Sequence, residues 1–249
     1  MSGHSKWANI KHRKGAQDAK RGKIFTKLIR EITVSARMGG GDQNSNPRLR
    51  AALIAARGQN MSKDTMEKAI KRGTGDMDGA DYQEVRFEGY GPGGVAMIVD
   101  TLTDNNNRTV ADIRYIFNRY GGNLGTSGCV SYMFDRRGHI VFEQFNEDQL
   151  MEAALEAGAL DVVVDGNTCE VITEPDDLET VRETLLAKNV GTPVESGMIM
   201  RPQNTVTLDE KNAASMLKMM DRLEDNDDVQ RVSANFDIPE EVMELLAVE

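Results

Sequence analysis

The chain has 249 residues, 39% hydrophobic and 28% charged but only 5% aromatic, enough for cores built mainly from Val, Ile, Leu, Ala and Met. No apolar run approaches the roughly 18 residues of a membrane-spanning helix, and the polar start Met1-Ser2-Gly3-His4-Ser5-Lys6 carries no secretory signal. Two isolated cysteines, Cys129 and Cys169, argue against a disulfide framework and for a reducing, cytoplasmic setting.

The net charge of −10 hides a division. Residues 1–78 hold 17 Lys+Arg against 7 Asp+Glu, a net of +10, whereas residues 79–249 hold 13 against 33, a net of −20. Such asymmetry points to a nucleic-acid- or anion-binding part joined to an acidic remainder.

Residues 1–16 read as a mobile arm or an irregular lead-in. A helix is predicted from about Gln17 to Met38, because Ile24, Phe25, Leu28, Ile29, Ile32 and Ala36 fall on one face at 3.6 residues per turn. Lys20, Lys23, Lys27, Arg30 and Arg37 fall on the other, and Gly39-Gly40-Gly41 ends it. Asn46 reads as an N-cap with Pro47 in the first turn of a second helix. Ser62 caps a third, with Met66, Ala69 and Ile70 inward, stopped by Gly73 and Gly75. Three short amphipathic helices cannot bury their faces alone and should pack as a bundle.

The small, acidic stretch 74–83 is the best linker. Beyond it the period changes. Glu84–Gly89 and Val95–Leu102 are predicted strands around the turn Gly91-Pro92-Gly93-Gly94. A helix over Arg108–Arg119 follows, capped by Thr103-Asp104-Asn105. Strands are predicted at Cys129–Phe134 and His139–Phe142, then a helix (Glu147–Glu156), two strands (Val162–Val164, Cys169–Ile172), a helix (Asp176–Ala187) and a strand (Gly197–Met200). The last set is a strand (Thr205–Leu208), a helix (Glu210–Leu223), a strand (Val229–Ala234) and a short C-terminal helix from Pro239 to Ala247. The fold class is α+β: an N-terminal three-helix domain followed by two ferredoxin-like α+β domains, one inserted in the other. The expected boundaries are 1–78 for the basic helical domain, 79–135 plus 204–249 for the split domain, and 136–203 for the insertion.

Several motifs are decoys. Gly89-Tyr90-Gly91-Pro92-Gly93-Gly94 satisfies the dinucleotide pattern letter by letter. A strand follows it, however, rather than a helix, so it reads as a hairpin turn. Gly121-Gly122-Asn123-Leu124-Gly125-Thr126-Ser127-Gly128 lacks the lysine of a phosphate-binding loop. It reads as a flexible loop or as backbone able to approach RNA. His4, His12 and His139 form no metal-ligand spacing with the cysteines, which read as buried small hydrophobes. No acid/base pair stands out among the many carboxylates. The expectation is a protein that is not an enzyme and needs no cofactor or metal.

The stretches Gly3-His4-Ser5-Lys6-Trp7-Ala8-Asn9-Ile10-Lys11-His12-Arg13-Lys14, Lys20-Arg21-Gly22-Lys23-Ile24-Phe25, Asn46-Pro47-Arg48-Leu49-Arg50, Glu88-Gly89-Tyr90-Gly91-Pro92-Gly93-Gly94 and Thr103-Asp104-Asn105-Asn106-Asn107-Arg108-Thr109 closely resemble the YebC family over essentially the whole chain. The resemblance implies three domains, one helical and two α+β. It also implies a transcriptional regulator, as bacterial members are usually described, or a translation factor, as relatives including a mitochondrial translational activator are tied to ribosomes. It supplies no catalytic residues.

The functional expectation centres on the basic segment. Residues 1–37 hold ten Lys+Arg against Asp18 and Glu31. Crowded cations are costly unless an anion neutralises them, although a charge run is by default a solvated face. The candidate nucleic-acid-binding residues are Lys6, Trp7, Lys11, His12, Arg13, Lys14, Lys20, Arg21, Lys23, Lys27, Arg30, Arg48 and Arg50. The arginines suit bidentate phosphate or base contacts. Trp7 reads equally as a base-stacking ring or as an anchor pinning the arm. No recognition-helix signature is readable, which favours shape- or backbone-directed binding. The expected partner is DNA or, alternatively, ribosomal or transfer RNA and the ribosome, with no membrane.

Overall fold

The computed structural model describes residues 17–78 and 81–247. Residues 80–135 and 201–249, with the start of the first helix, form one compact unit; residues 24–79 and 136–200 form the other.

In the second unit, the helices are α1 (Gln17–Gly39, whose first turns belong to the first unit), α2 (Pro47–Gly58) and α3 (Lys63–Thr74). Ile32, Ala36, Leu49, Ala52, Leu53, Ala56, Met61, Met66 and Ala69 make their core, with Phe25, Leu28, Ile29 and Ile70 against it. Asn46 caps α2 as expected, its side chain accepting from the Leu49 N–H. It is itself buried and donates to the Ser35 carbonyl at 2.8 Å and the Gly40 carbonyl at 2.9 Å, which ties the end of α1 to the start of α2. Ser62 caps α3, and Gly75, with φ of 88°, ends it. Gly73 does not stop the helix. It is buried inside the last turn, where a Cβ would stand 2.3 Å from the Thr33 carbonyl oxygen and 2.7 Å from the Ala36 Cβ. The residue is small because α1 and α3 cross there.

The same unit holds a four-stranded sheet of order β5-β6-β4-β7, with β4 Phe134–Phe142, β5 Asp161–Asp165, β6 Thr168–Thr173 and β7 Glu195–Pro202. Helices α5 (Glu147–Glu156) and α6 (Leu178–Ala187) complete the βαββαβ sequence of a ferredoxin-like domain. Phe142, Leu150, Val171, Val181 and Leu185 lie at its centre. Strands β4 and β6 pair antiparallel with Ile140 opposite Val171.

The first unit is built on a sheet of order β3-β1-β2-β9: β1 Gln83–Tyr90, β2 Ala96–Thr103, β3 Asn123–Leu124 and β9 Val229–Ala234. Strands β1 and β2 form an antiparallel hairpin with Phe87 opposite Val99, turning through Gly91–Gly94. That is the turn expected of the false dinucleotide motif. Helices α4 (Asn106–Arg119) and α7 (Glu210–Glu224) bury Ile113, Phe117, Met216, Met219 and Met220 against Phe87, Met97 and Val99. A two-stranded parallel pair, β8 (Val206–Thr207) with β10 (Phe236–Asp237), and helix α8 (Glu240–Ala247) finish the unit. The chain is thus α+β throughout, with a helical domain and two sheet domains, the second sheet lying within the sequence of the first.

One predicted strand is absent. Cys129–Phe134 is loop followed by a single 3-10 turn at Ser131–Met133, and strand geometry begins only at Phe134. The backbone N–H groups of Gly128, Val130 and Ser131, which a strand would give to a neighbour, all point at one carboxylate, that of Glu88. The two-residue strands β3 and β10 were too short to carry a period.

Candidate nucleic-acid interface

Of the residues expected to meet nucleic acid, Lys6, Trp7, Lys11, His12, Arg13 and Lys14 lie outside the described residues. Lys20 and Arg21 lie in the first turns of α1. Lys23, Lys27 and Arg30 follow on the same helix and are partly exposed. The Lys23 ammonium donates to the Asp225 carbonyl at 3.1 Å and pairs with its carboxylate at 3.3 Å. Both side chains are nearly half exposed, so this pair contributes little and is readily exchanged for another anion.

Arg48 and Arg50 have internal duties. Arg48 grips Glu31 with both arms of its guanidinium, Nε to Oε1 at 2.7 Å and Nη2 to Oε2 at 3.1 Å, joining α2 to α1. Arg50 donates through Nε to the Gln43 carbonyl at 3.0 Å and through Nη2 to the Asn44 carbonyl at 2.9 Å. Its Nη1 meets Glu179 on α6 at 2.5 Å. It therefore shapes the α1–α2 turn and links the helical bundle to the ferredoxin-like domain within one unit. The sequence shows the arginines and their fork geometry but not the carboxylates that arrive from 17 and 129 residues away.

The structure adds cations that the sequence reading did not single out as contacts. Lys71 and Arg72 are exposed in the last turn of α3, and Arg37 is exposed in the last turn of α1. These two helix ends meet at Gly73, where a Cβ would lie 3.1 Å from the Arg37 nitrogen. Cations at helix C-termini also satisfy the helix dipoles, which accounts for part of their placement. Asp42 and Asp76 lie in the turns that follow the same two helices, so this end of the bundle carries mixed charge.

The motifs that carry the family resemblance in the first unit are internal clasps. Glu88 is buried and accepts from Gly128 at 2.9 Å, Val130 at 2.9 Å and Ser131 at 2.8 Å. Burial raises its pKa, but these backbone donors outweigh it and hold the carboxyl below its ordinary 4.5. Asn105 caps α4, accepting from the Arg108 N–H at 3.1 Å. Behind that cap, the buried Asp228 accepts from Thr109 at 2.7 Å, Thr103 at 3.3 Å and Arg108 at 2.8 Å. Arg108 is raised above its ordinary pKa, mainly by Asp228 and then by Asp104.

Nucleophilic chemistry finds no support at the thiols. Burial, with Glu147 and Glu170 adding, pushes Cys169 up to about 11, and burial followed by the nearby Glu88 raises Cys129. Among the described residues, no group of three His, Cys, Asp or Glu side chains is placed to hold a metal ion, and no helix is long and apolar enough to cross a membrane.

Residues 5–76 match the TACO1/YebC protein N-terminal domain, and residues 82–236 match the TACO1/YebC second and third domain. A "probable transcriptional regulatory protein" of Magnetococcus marinus is 66% identical over 249 residues, spanning 99% of this chain and 100% of the relative. A protein of the same description from Syntrophotalea carbinolica is 60% identical over 244 residues, spanning 98% of each chain. The crystal structure of a conserved hypothetical protein from Aquifex aeolicus superposes with a TM-score of 0.85 at 45% identity, covering 91% of this chain and 95% of its own. On sequence over nearly its full length and on fold, the chain belongs to the YebC family.

Proposed function

We propose that this protein is a non-enzymatic, cytoplasmic regulator of gene expression that binds DNA through its basic N-terminal segment. One observation carries the reading. Charge is segregated along the chain, +10 in residues 1–78 and −20 in residues 79–249. A basic part of that density is drawn to a polyphosphate backbone, while the acidic remainder is repelled and keeps the protein's other surfaces off it. The family's relatives carry the description of transcriptional regulators, which agrees.

Phosphate contact is assigned to Lys6, Lys11, His12, Arg13 and Lys14 of the leading segment, with Trp7 beside them, and to Lys20, Arg21, Lys23, Lys27 and Arg30 of α1. Arg48 and Arg50 support this surface by fixing α2, since their guanidiniums have carboxylate partners. With about five to eight phosphates engaged, log K should fall against log[salt] with a slope near −4 to −7. Changing Lys11, Arg13, Lys14, Lys20 and Lys23 to Ala together should abolish binding while the circular dichroism stays native. An unchanged affinity and salt slope in that variant refutes the assignment.

The physiological target is read by crosslinking in cells, purification under denaturing conditions, and sequencing of the recovered DNA and RNA side by side. Enrichment at promoters supports the transcriptional reading. Enrichment of ribosomal or transfer RNA with DNA at background replaces it with a translation factor.

A further inference from the structure

The loop between α4 and β4 has a construction that binding by the basic segment does not use. Tyr132 is 70% exposed, the most exposed large apolar side chain described, and Tyr90 beside it is 37% exposed. The Tyr90 hydroxyl donates to the Cys129 carbonyl at 3.3 Å. Desolvation and then the neighbouring Tyr132, with which its hydroxyl hydrogen-bonds, raise the Tyr90 phenol above its ordinary pKa. An exposed tyrosine ring offers a flat face on which a planar group can stack.

The backbone beneath these rings is fixed. Three amides of residues 128–131 converge on the buried Glu88. Gly125 donates to the Glu88 carbonyl at 2.8 Å, and a Cβ there would lie 2.5 Å from the Cys129 sulfur. At Gly122 a Cβ would lie 2.6 Å from the Tyr90 carbonyl oxygen. The glycines therefore draw the loop tightly onto β1, so the backbone that carries Tyr132 is fixed before any partner arrives, which lowers the ordering cost of binding. The sequence reading of a flexible loop gives way to a clasped one.

Charge selects the partner. Residues 113–134, bounded by Asp112 and Asp135, contain Arg114 and Arg119 and no Asp or Glu, and the Glu88 carboxylate beneath them is turned inward onto backbone amides, within a part of the chain whose net charge is −20. Both arginines are exposed, as are the hydroxyls of Thr126 and Ser127. Every base has a face that stacks on tyrosine, unpaired bases in RNA are splayed and available, and hydroxyls and bare glycine backbone suit base edges and the ribose 2′-OH. A carboxylate-free, aromatic stretch within the acidic remainder fits such a strand better than it fits a duplex, whose bases are hidden.

We propose that Tyr132, supported by Tyr90 on the Glu88-clasped loop, is a stacking platform for unpaired bases of an RNA strand, separate from the duplex-binding surface of the N-terminal segment. The test uses the full chain and measures anisotropy of a labelled, unstructured RNA of about 12 nucleotides, with a labelled DNA duplex in parallel. Tyr132→Ala should weaken RNA binding about tenfold and leave duplex binding unchanged, while Tyr132→Phe, which keeps the ring, stays within about twofold of wild type. Tyr132 is exposed, so neither change threatens the fold. Equal RNA affinity for Tyr132→Ala and wild type overturns the platform, as does no RNA binding by the wild type, or an equal loss on RNA and duplex. Loss of the RNA effect with duplex binding intact leaves the proposed function standing. The expected RNA effect with no duplex binding removes the duplex reading and keeps the platform.

Discussion

In the helical bundle a neutral side chain, Asn46, is buried where α1 gives way to α2. In the first sheet the corresponding position, where the α4–β4 loop crosses β1, is taken by a carboxylate, Glu88. Both organise glycine-rich turns by satisfying backbone groups, Asn46 through two carbonyls and one amide, Glu88 through three amides. The difference lies in what each leaves outside. A neutral keystone adds no charge to the bundle and so claims none of its cations as a counter-ion. The charged keystone is met chiefly by backbone amides, with the Ser131 side chain adding, while Arg86 hydrogen-bonds Asp100 instead. The sheet can then afford a thick core with Phe87, Phe117 and Phe236, whereas the bundle's core is mostly Ala, Leu and Met and depends on close helix contact.

Removing the charged keystone should have the largest effect. Glu88→Ala leaves three amides without an acceptor, that of Val130 buried and those of Gly128 and Ser131 partly so, and should cost about 4 kcal/mol in urea unfolding followed by tyrosine signals. Because the folded carboxyl titrates below 4.5, its contribution is complete at neutral pH and is lost as pH falls through the folded pKa, so the gap between wild type and Glu88→Gln should close below pH 4.5. A gap that persists there would mean the loop is held by something other than the charge. Asp228→Ala comes next, at about 3 kcal/mol, since it strands Thr103, Thr109 and Arg108; the half-exposed Arg108 can turn to water and Asp104, which limits the loss. Gly73→Ala should cost about 2 kcal/mol and act on the bundle alone, because the new methyl meets the Thr33 carbonyl. An unaltered melting midpoint would show that α1 and α3 part more easily than close packing allows.

How much of this was legible follows from separation along the chain. The α1 period, the Asn46 and Ser62 caps and the hairpin at Gly91–Gly94 are local, and each was readable from neighbouring residues. Gly73 was read as a helix stop because glycine serves both ends and crossings, and only the position of Thr33, 40 residues away, distinguishes them. The strand expected at Cys129–Phe134 had the right composition, but its amides were claimed by Glu88 across some 40 residues. A longer separation, 119 residues between Thr109 and Asp228, hid the second clasp. Thr103–Thr109 looked like a cap and is one, yet its partner Asp228 sits in an acidic run that resembles a solvated face.

The smallest effect separates support from contact within the basic surface. Arg48 and Glu31 are 38% and 26% exposed, so Arg48→Gln should cost less than about 1 kcal/mol despite the bidentate geometry. If Arg48 serves α2 rather than phosphate, the salt slope of nucleic-acid binding is unchanged, whereas Lys27→Gln, which removes a cation assigned to phosphate, lowers its magnitude by about one. A shallower slope for Arg48→Gln would mean that an incoming phosphate displaces Glu31. The pair would then be a latch released on binding, and the bundle's neutral keystone would be what keeps α2 in place while the latch is open.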